Sequence, residues 1–114
     1  MSKYIKAEIL QSYAEPGDDS LIRDLFSYFK SKVPERFEVA RAALKDKDNK
    51  AFKFQMHALK NSFLNVGALQ VAQECQSLED ASTTIGEEDS RLQLEGLVSK
   101  FHEVEIELQQ YLNR

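Results

Sequence analysis

Apolar residues recur every three or four positions along almost the whole chain, and this spacing constrains the fold more than any other feature. Such a repeat gives each helix one apolar face that must be buried. Only four Gly and two Pro interrupt the 114 residues, which is too few turn-formers for an all-β chain. The length suits one domain, so we expect a single all-α domain over residues 1–114.

The apolar stripes divide the chain into successive helices. We expect a short N-terminal helix over about residues 2–14 and a bundle over about residues 18–113. The first bundle helix carries Pro34, where a kink or a short break is expected. The next helix runs from Asn49 to Val66, and two more meet at Gly86. Four amphipathic helices with short connections predict an antiparallel four-helix bundle, here with an additional short N-terminal helix.

The charge and the cysteine content exclude several classes of protein. The net charge is −4, whereas proteins that bind nucleic acid are usually basic. No apolar run approaches the roughly 18 residues of a membrane span, and the lone Cys75 has no partner for an internal disulfide. We therefore expect a cytoplasmic monomer that contacts neither nucleic acid nor membrane.

The charge is also divided unevenly along the chain. Residues 1–60 hold 12 Lys and Arg against 9 Asp and Glu, whereas residues 61–114 hold 3 against 10. The first part is therefore mildly basic and the second strongly acidic. A charge of one sign usually marks a solvated helix face, but the basic part can also attract an acidic partner.

The two histidines differ in their predicted positions. On a helical wheel, Lys53, His57, Lys60 and Leu64 share one outward strip of their helix. A histidine on such a surface usually has no specific role, so the wheel alone does not assign one to His57. His102 lies at the edge of the apolar stripe of the last helix and is interpreted as a structural or surface residue.

The other chemically distinctive residues receive structural interpretations. Cys75 falls on an apolar stripe and is expected to behave as a small core residue. The acidic run Glu87–Asp89 is typical of a helix start. Glu103, Glu105 and Glu107 are expected to form a solvated face, with Glu105 at its rim. The sequence contains neither a phosphate-binding loop nor a cluster with metal-ligand spacing.

The segment from His57 to Ala68 resembles the signature of histidine-containing phosphotransfer (HPt) domains. That signature is roughly His-x-Leu-Lys-Gly-Ser, followed after a short gap by a hydrophobic residue, Gly and a small or apolar residue. The matching positions are His57, Leu59, Lys60, Ser62, Val66, Gly67 and Ala68. The resemblance covers about residues 18–112 and departs from the signature at Asn61, where the family usually has Gly.

The resemblance implies a phosphorelay intermediate, a phosphoryl carrier that is not itself a kinase. His57 would accept a phosphoryl group from an aspartate of a receiver domain and pass it to another receiver, and Lys60 would stabilise the phosphoryl charge. The partners would be receiver domains of response regulators and of hybrid sensor kinases. No cofactor is expected on this chain, because Mg²⁺ would come with the receiver domain. The expected docking residues are Lys53, Asn61, Leu64 and Gly67.

Some of these assignments leave alternatives open. Gly67 and Ala68 are better suited to helix packing, and Leu64 and Phe54 are either docking residues or buried against the N-terminal helix. Gln55 and Ser62 are weaker polar candidates, because the wheel points them away from His57.

The function also has alternatives. One is a helical adaptor that binds receivers or partner helices without carrying phosphate, which the unusual Asn61 favours. A small enzyme with its own substrate pocket has little support, because no second polar cluster accompanies His57. Met1 and the complete set of helices favour a free-standing protein over an excised domain.

Overall fold

The computed structural model describes residues 2–114 and is built from α-helices. Its elements are α1 (Ala7–Gln11), α2 (Ser20–Lys45), α3 (Asn49–Asn65) and α4 (Leu69–Leu112). Gly86 interrupts α4 with φ 86° and ψ 174°, so α4 consists of two helices, which we call its first half (69–85) and second half (87–112). α2, α3 and the two halves of α4 form the four-helix bundle, which confirms the predicted fold class.

Aromatic rings hold the centre of the bundle together. The ring of Phe29 on α2 lies 5.4 Å from that of Phe63 on α3 and 5.1 Å from that of Phe101 on α4. Such offset and edge-to-face pairs stabilise a core beyond the burial of their surface. Cys75 is fully buried in the same core, as expected, and burial raises the pKa of its thiol to about 12. Within residues 2–114, no helix is both long and apolar enough to cross a membrane.

α3 begins and ends at residues suited to those positions. The carboxylate of Asp48 accepts a hydrogen bond from the backbone N–H of Ala51 at 3.1 Å and caps the first turn. At the other end Gly67 has φ 80°, and the N–H of Ala68 donates to the carbonyl of Phe63 at 2.9 Å. This arrangement is typical of a glycine-terminated helix. The two ends therefore define the helix on which His57 lies.

The N-terminal segment differs from the prediction. α1 spans Ala7–Gln11 and not residues 2–14, and the buried Tyr4 and Ile5 precede it in non-helical conformation. The carboxylate of Glu107 accepts the N–H of Tyr4 at 2.9 Å and that of Ile5 at 3.0 Å. A solvated Glu107 was therefore a wrong prediction: this carboxylate is buried because it binds backbone N–H groups that no helix satisfies.

Of the kink or short break predicted at Pro34, the break does not occur. α2 continues without interruption from Ser20 to Lys45, with Pro34 inside it. Proline lacks an N–H group and so removes one backbone hydrogen bond. Val33 and Phe37 on either side of Pro34 are buried in the core, and their packing maintains the helix through that position.

Candidate functional site

His57 lies on the exposed face of α3. Its neighbours Met56 and Leu59 are fully buried, so the packing of α3 fixes the rotation of the helix about its axis. That rotation leaves the side chain of His57 59% exposed. The imidazole is therefore accessible to a large partner, as the helical wheel predicted.

A carboxylate from the first half of α4 lies beside the imidazole. Oε1 of Glu79 is 3.8 Å from Nδ1 of His57, while the Glu79 side chain is only 21% exposed. Within the described residues this oxygen is buried and has no hydrogen-bond partner. At 3.8 Å the two groups form no hydrogen bond, so the carboxylate acts on the imidazole through its charge alone. Glu79 was not among the residues predicted from the sequence.

Lys60 lies one turn after His57 and is half-buried. Its Nζ donates to Oε1 of Gln76 at 2.8 Å, and Nε2 of Gln76 donates to Oδ1 of Asp80 at 2.9 Å. Among residues 2–114, no carboxylate forms an ion pair with Lys60. The ammonium of Lys60 therefore donates to an uncharged acceptor, and no carboxylate of the described residues neutralises its charge by direct contact.

The expected docking residues surround this pair, with one exception. Asn61 is exposed, and Lys53 is half-buried on the same helix. Leu64 is also half-buried and packs partly against the core. Phe54, one turn before His57, is 67% exposed. These residues can therefore be reached by a partner that contacts His57.

The exception is Gly67, which is buried beneath the N-terminal segment. Its carbonyl accepts the N–H of Lys6 at 3.0 Å, and a Cβ added to Gly67 would lie 3.1 Å from the carbonyl oxygen of Lys6. The assignment of Gly67 as a docking residue is therefore wrong. The glycine allows the N-terminal backbone to approach the end of α3 closely.

The remaining polar candidates have local roles. Ser62 donates through Oγ to the carbonyl of Ala58 at 3.0 Å, which is a contact within α3. Gln55 is half-buried, and the structure shows no hydrogen bond that links it to His57. His102 is 65% exposed, and its Nδ1 lies 3.1 Å from Oε1 of Glu105 on the same helix.

The described residues around His57 form no metal-binding cluster, and the groove between the α2–α3 turn and α4 is lined by other residues. This groove has a volume of about 420 Å³. Across residues 2–114, no three His, Cys, Asp or Glu side chains are arranged to hold a metal ion. The site thus consists of an exposed imidazole with a carboxylate beside it and a lysine one helical turn away.

Comparisons with known proteins bear on the fold and on the family of the chain. The chain is similar over 97% of its length to histidine-containing phosphotransfer protein B (HptB) from Pseudomonas aeruginosa PAO1, with 25% sequence identity and a TM-score of 0.82. The match covers 96% of that protein. No curated protein sequence matches the chain. The family model described as the Hpt domain matches residues 24–114, a range that contains His57, Lys60 and Glu79, and the chain therefore belongs to the Hpt domain family.

Proposed function

We propose that this chain is a phosphorelay intermediate that carries a phosphoryl group on His57. The observation that supports this most directly is the exposed imidazole of His57, which has the Glu79 carboxylate beside it and Lys60 one helical turn away. The group comes from an aspartyl phosphate of one receiver domain and passes to an aspartate of another. The partners are the receiver domains of response regulators and hybrid sensor kinases.

The chemistry of the transfer requires few groups on this chain. Nε2 of neutral His57 attacks the phosphorus of the aspartyl phosphate, the N–P bond forms, and the P–O bond to the aspartate carboxylate breaks. The proton stays on Nδ1, so the product is a phosphorylated imidazolium, and the nearby Glu79 carboxylate stabilises its positive charge. The reverse of this step passes the phosphoryl group to the second receiver.

Lys60 stabilises the charge of the phosphoryl group. Phosphoryl transfer depends mainly on positioning and on neutralising the equatorial oxygens. The Lys60 ammonium lies one turn from His57 and has no carboxylate partner among the described residues. It can therefore turn toward the phosphoryl group without breaking an ion pair. Lys53, Asn61 and Leu64 contact the receiver around this point, and Lys53 complements its acidic site.

The chain acts as a carrier and not as a kinase. Its sequence has no phosphate-binding glycine loop, so the phosphoryl group must come from a partner that is already phosphorylated. The Mg²⁺ that the reaction needs is bound by the receiver domain. The single buried Cys75 favours a reducing compartment, and we place the exchange in the cytoplasm, with the carrier as a monomer.

The test is incubation of the chain with a receiver domain phosphorylated with ³²P in the presence of Mg²⁺. We expect acid-labile label on the wild-type chain and none on His57→Gln, because glutamine has no nucleophilic ring nitrogen. His102→Gln is the matched control and should accept label like the wild type. Equal labelling of His57→Gln and wild type would contradict the proposal.

A non-catalytic adaptor is the second candidate, and Asn61 is the observation that favours it. This exposed residue adds bulk beside His57 where the family usually has Gly. An adaptor would bind a receiver with the same affinity before and after His57→Ala, and no acid-labile phosphate would form on it. A binding titration alongside the labelling experiment separates the two candidates.

A further inference from the structure

The hydrogen bonds of Lys60 form a chain that ends on a carboxylate. Lys60 Nζ donates to Gln76 Oε1 at 2.8 Å, and Gln76 Nε2 donates to Asp80 Oδ1 at 2.9 Å. Because the amide of Gln76 donates to Asp80 through its nitrogen, its oxygen must face Lys60. The carboxylate of Asp80 therefore fixes the orientation of the amide that holds the ammonium.

This chain separates two groups that would otherwise attract each other. Gln76 and Asp80 lie one turn apart on the same face of α4, and the amide of Gln76 contacts both Lys60 and Asp80. A lysine and an aspartate in such positions commonly form an ion pair. Here the amide occupies the space between them, and the ammonium meets a neutral oxygen instead of a carboxylate.

We propose that Gln76 is a neutral spacer that keeps the Lys60 ammonium away from Asp80 and available to the phosphoryl group on His57. Gln76 is thus a positioning residue that acts through Lys60. This inference rests on the proposed phosphoryl transfer and deepens it. Without the spacer, Lys60 pairs with Asp80, and that pair must break before the ammonium can stabilise the transition state.

The role of Gln76 as a spacer can be tested by replacing Gln76 alone and then Gln76 together with Asp80. We expect Gln76→Ala to slow phosphoryl transfer from a phosphorylated receiver about fivefold, equivalent to ~1 kcal/mol for breaking a surface ion pair. Addition of Asp80→Asn to Gln76→Ala should restore most of the rate, because the carboxylate that captures Lys60 in the single variant is then gone. A merely structural role of Gln76 would make the double variant as slow as the single variant or slower.

The control is Gln110→Ala, which removes an exposed glutamine from the second half of α4. It should transfer at the wild-type rate, and the thermal unfolding midpoints of all variants should agree within a few degrees. A wild-type rate in Gln76→Ala, or no recovery in the double variant, would overturn the spacer.

A second measurement needs no phosphate and keeps this inference separable from the proposed function. The reactivity of the Lys60 amine toward an acetylating ester, read by mass spectrometry, should fall in Gln76→Ala and recover in the double variant. If wild-type His57 never accepts label, the proposed function is wrong. The acetylation of Lys60 still tests in that case whether Gln76 acts as a spacer. Unchanged Lys60 reactivity in Gln76→Ala would overturn the spacer even if His57 is phosphorylated normally.

Discussion

His57 on α3 and His102 in the second half of α4 have similar immediate surroundings. Their side chains are 59% and 65% exposed, and each has a glutamate oxygen near Nδ1, at 3.8 Å for Glu79 and 3.1 Å for Glu105. Exposure and a neighbouring carboxylate therefore do not distinguish the proposed phosphorylation site from the other surface histidine. The two sites differ in the charges around each histidine and its glutamate.

The lysines nearest the two histidines in the sequence differ in their pairing. Lys100, two residues before His102, is ion-paired with Glu74 across the two halves of α4. Lys60, one turn after His57, is held by the uncharged Gln76. A lysine already paired with a carboxylate gives little stabilisation to an incoming phosphoryl group, whereas an unpaired ammonium gives much more. In the proposed mechanism, it is the uncompensated ammonium of Lys60 that allows His57 to accept the phosphoryl group.

Among the variants that test this comparison of His57 with His102, Lys60→Ala is expected to have the largest effect. Loss of the ammonium removes the positive charge that faces the phosphoryl oxygens in the transition state, so the rate of transfer to His57 should fall about 100-fold. The rate is measured by rapid quench with a phosphorylated receiver. The fold should persist, because the Lys60 side chain is only half-buried and points toward the surface.

Lys100→Ala is the matched control for the Lys60 experiment. Because Lys100 is already neutralised by Glu74, its removal should leave the transfer rate within about twofold of wild type. Equal rates in Lys60→Ala and wild type would remove Lys60 from the mechanism. Equal losses in both variants would mean that net charge matters, and not the position of the lysine.

A smaller effect, on stability instead of transfer, is expected from Glu107→Ala. This residue lies in the second half of α4, and its carboxylate accepts the buried N–H groups of Tyr4 and Ile5. Loss of the acceptor should lower the free energy of unfolding by about 2–3 kcal/mol, because both donors are left unsatisfied. Denaturant titration measures this change, and Glu105→Ala should change the same quantity by less than about 0.5 kcal/mol.

The transfer rate of folded Glu107→Ala shows whether the N-terminal segment and the surroundings of His57 act independently. We expect it to equal that of wild type, since the polar groups of the second half of α4 hold the fold together and do not contact His57. A loss of transfer comparable to that of Lys60→Ala would show that the N-terminal segment contributes to the site. Unchanged unfolding would show that the hydrogen bonds of Glu107 add no stability.

The sequence predicted the helices of the bundle well because each depends on its own repeat. The predicted helix Asn49–Val66 is observed as Asn49–Asn65, since Asp48 and Gly67 cap it locally. The N-terminal segment shows the limit of that reasoning. Tyr4 and Ile5 have apolar character consistent with a helix, but their backbone binds Glu107, which is about a hundred residues away in the chain.

The residues of the candidate site could likewise be predicted only where they depend on a single helix. His57 and Lys60 lie on one helix, so a wheel and a local motif sufficed to find them. Glu79 and Gln76 could not be found that way, because their contacts depend on how α3 and α4 are aligned against each other. Their only sign in the sequence, recognisable once the structure is known, is that these acidic and polar residues of α4 lie one turn apart on a face next to the core.

The smallest effect is expected from Glu79→Ala, which removes the carboxylate beside His57. We expect transfer to slow about fivefold, because the proton on Nδ1 and the positive charge of the phosphorylated ring both lose a favourable partner. The ¹⁵N chemical shifts of His57 report the tautomer directly and should move toward the form protonated on Nε2. Glu105→Ala should shift the tautomer of His102 in the same way and leave transfer unchanged, since that ring carries no phosphoryl group. A wild-type rate in Glu79→Ala would mean that the two histidines differ through lysine alone.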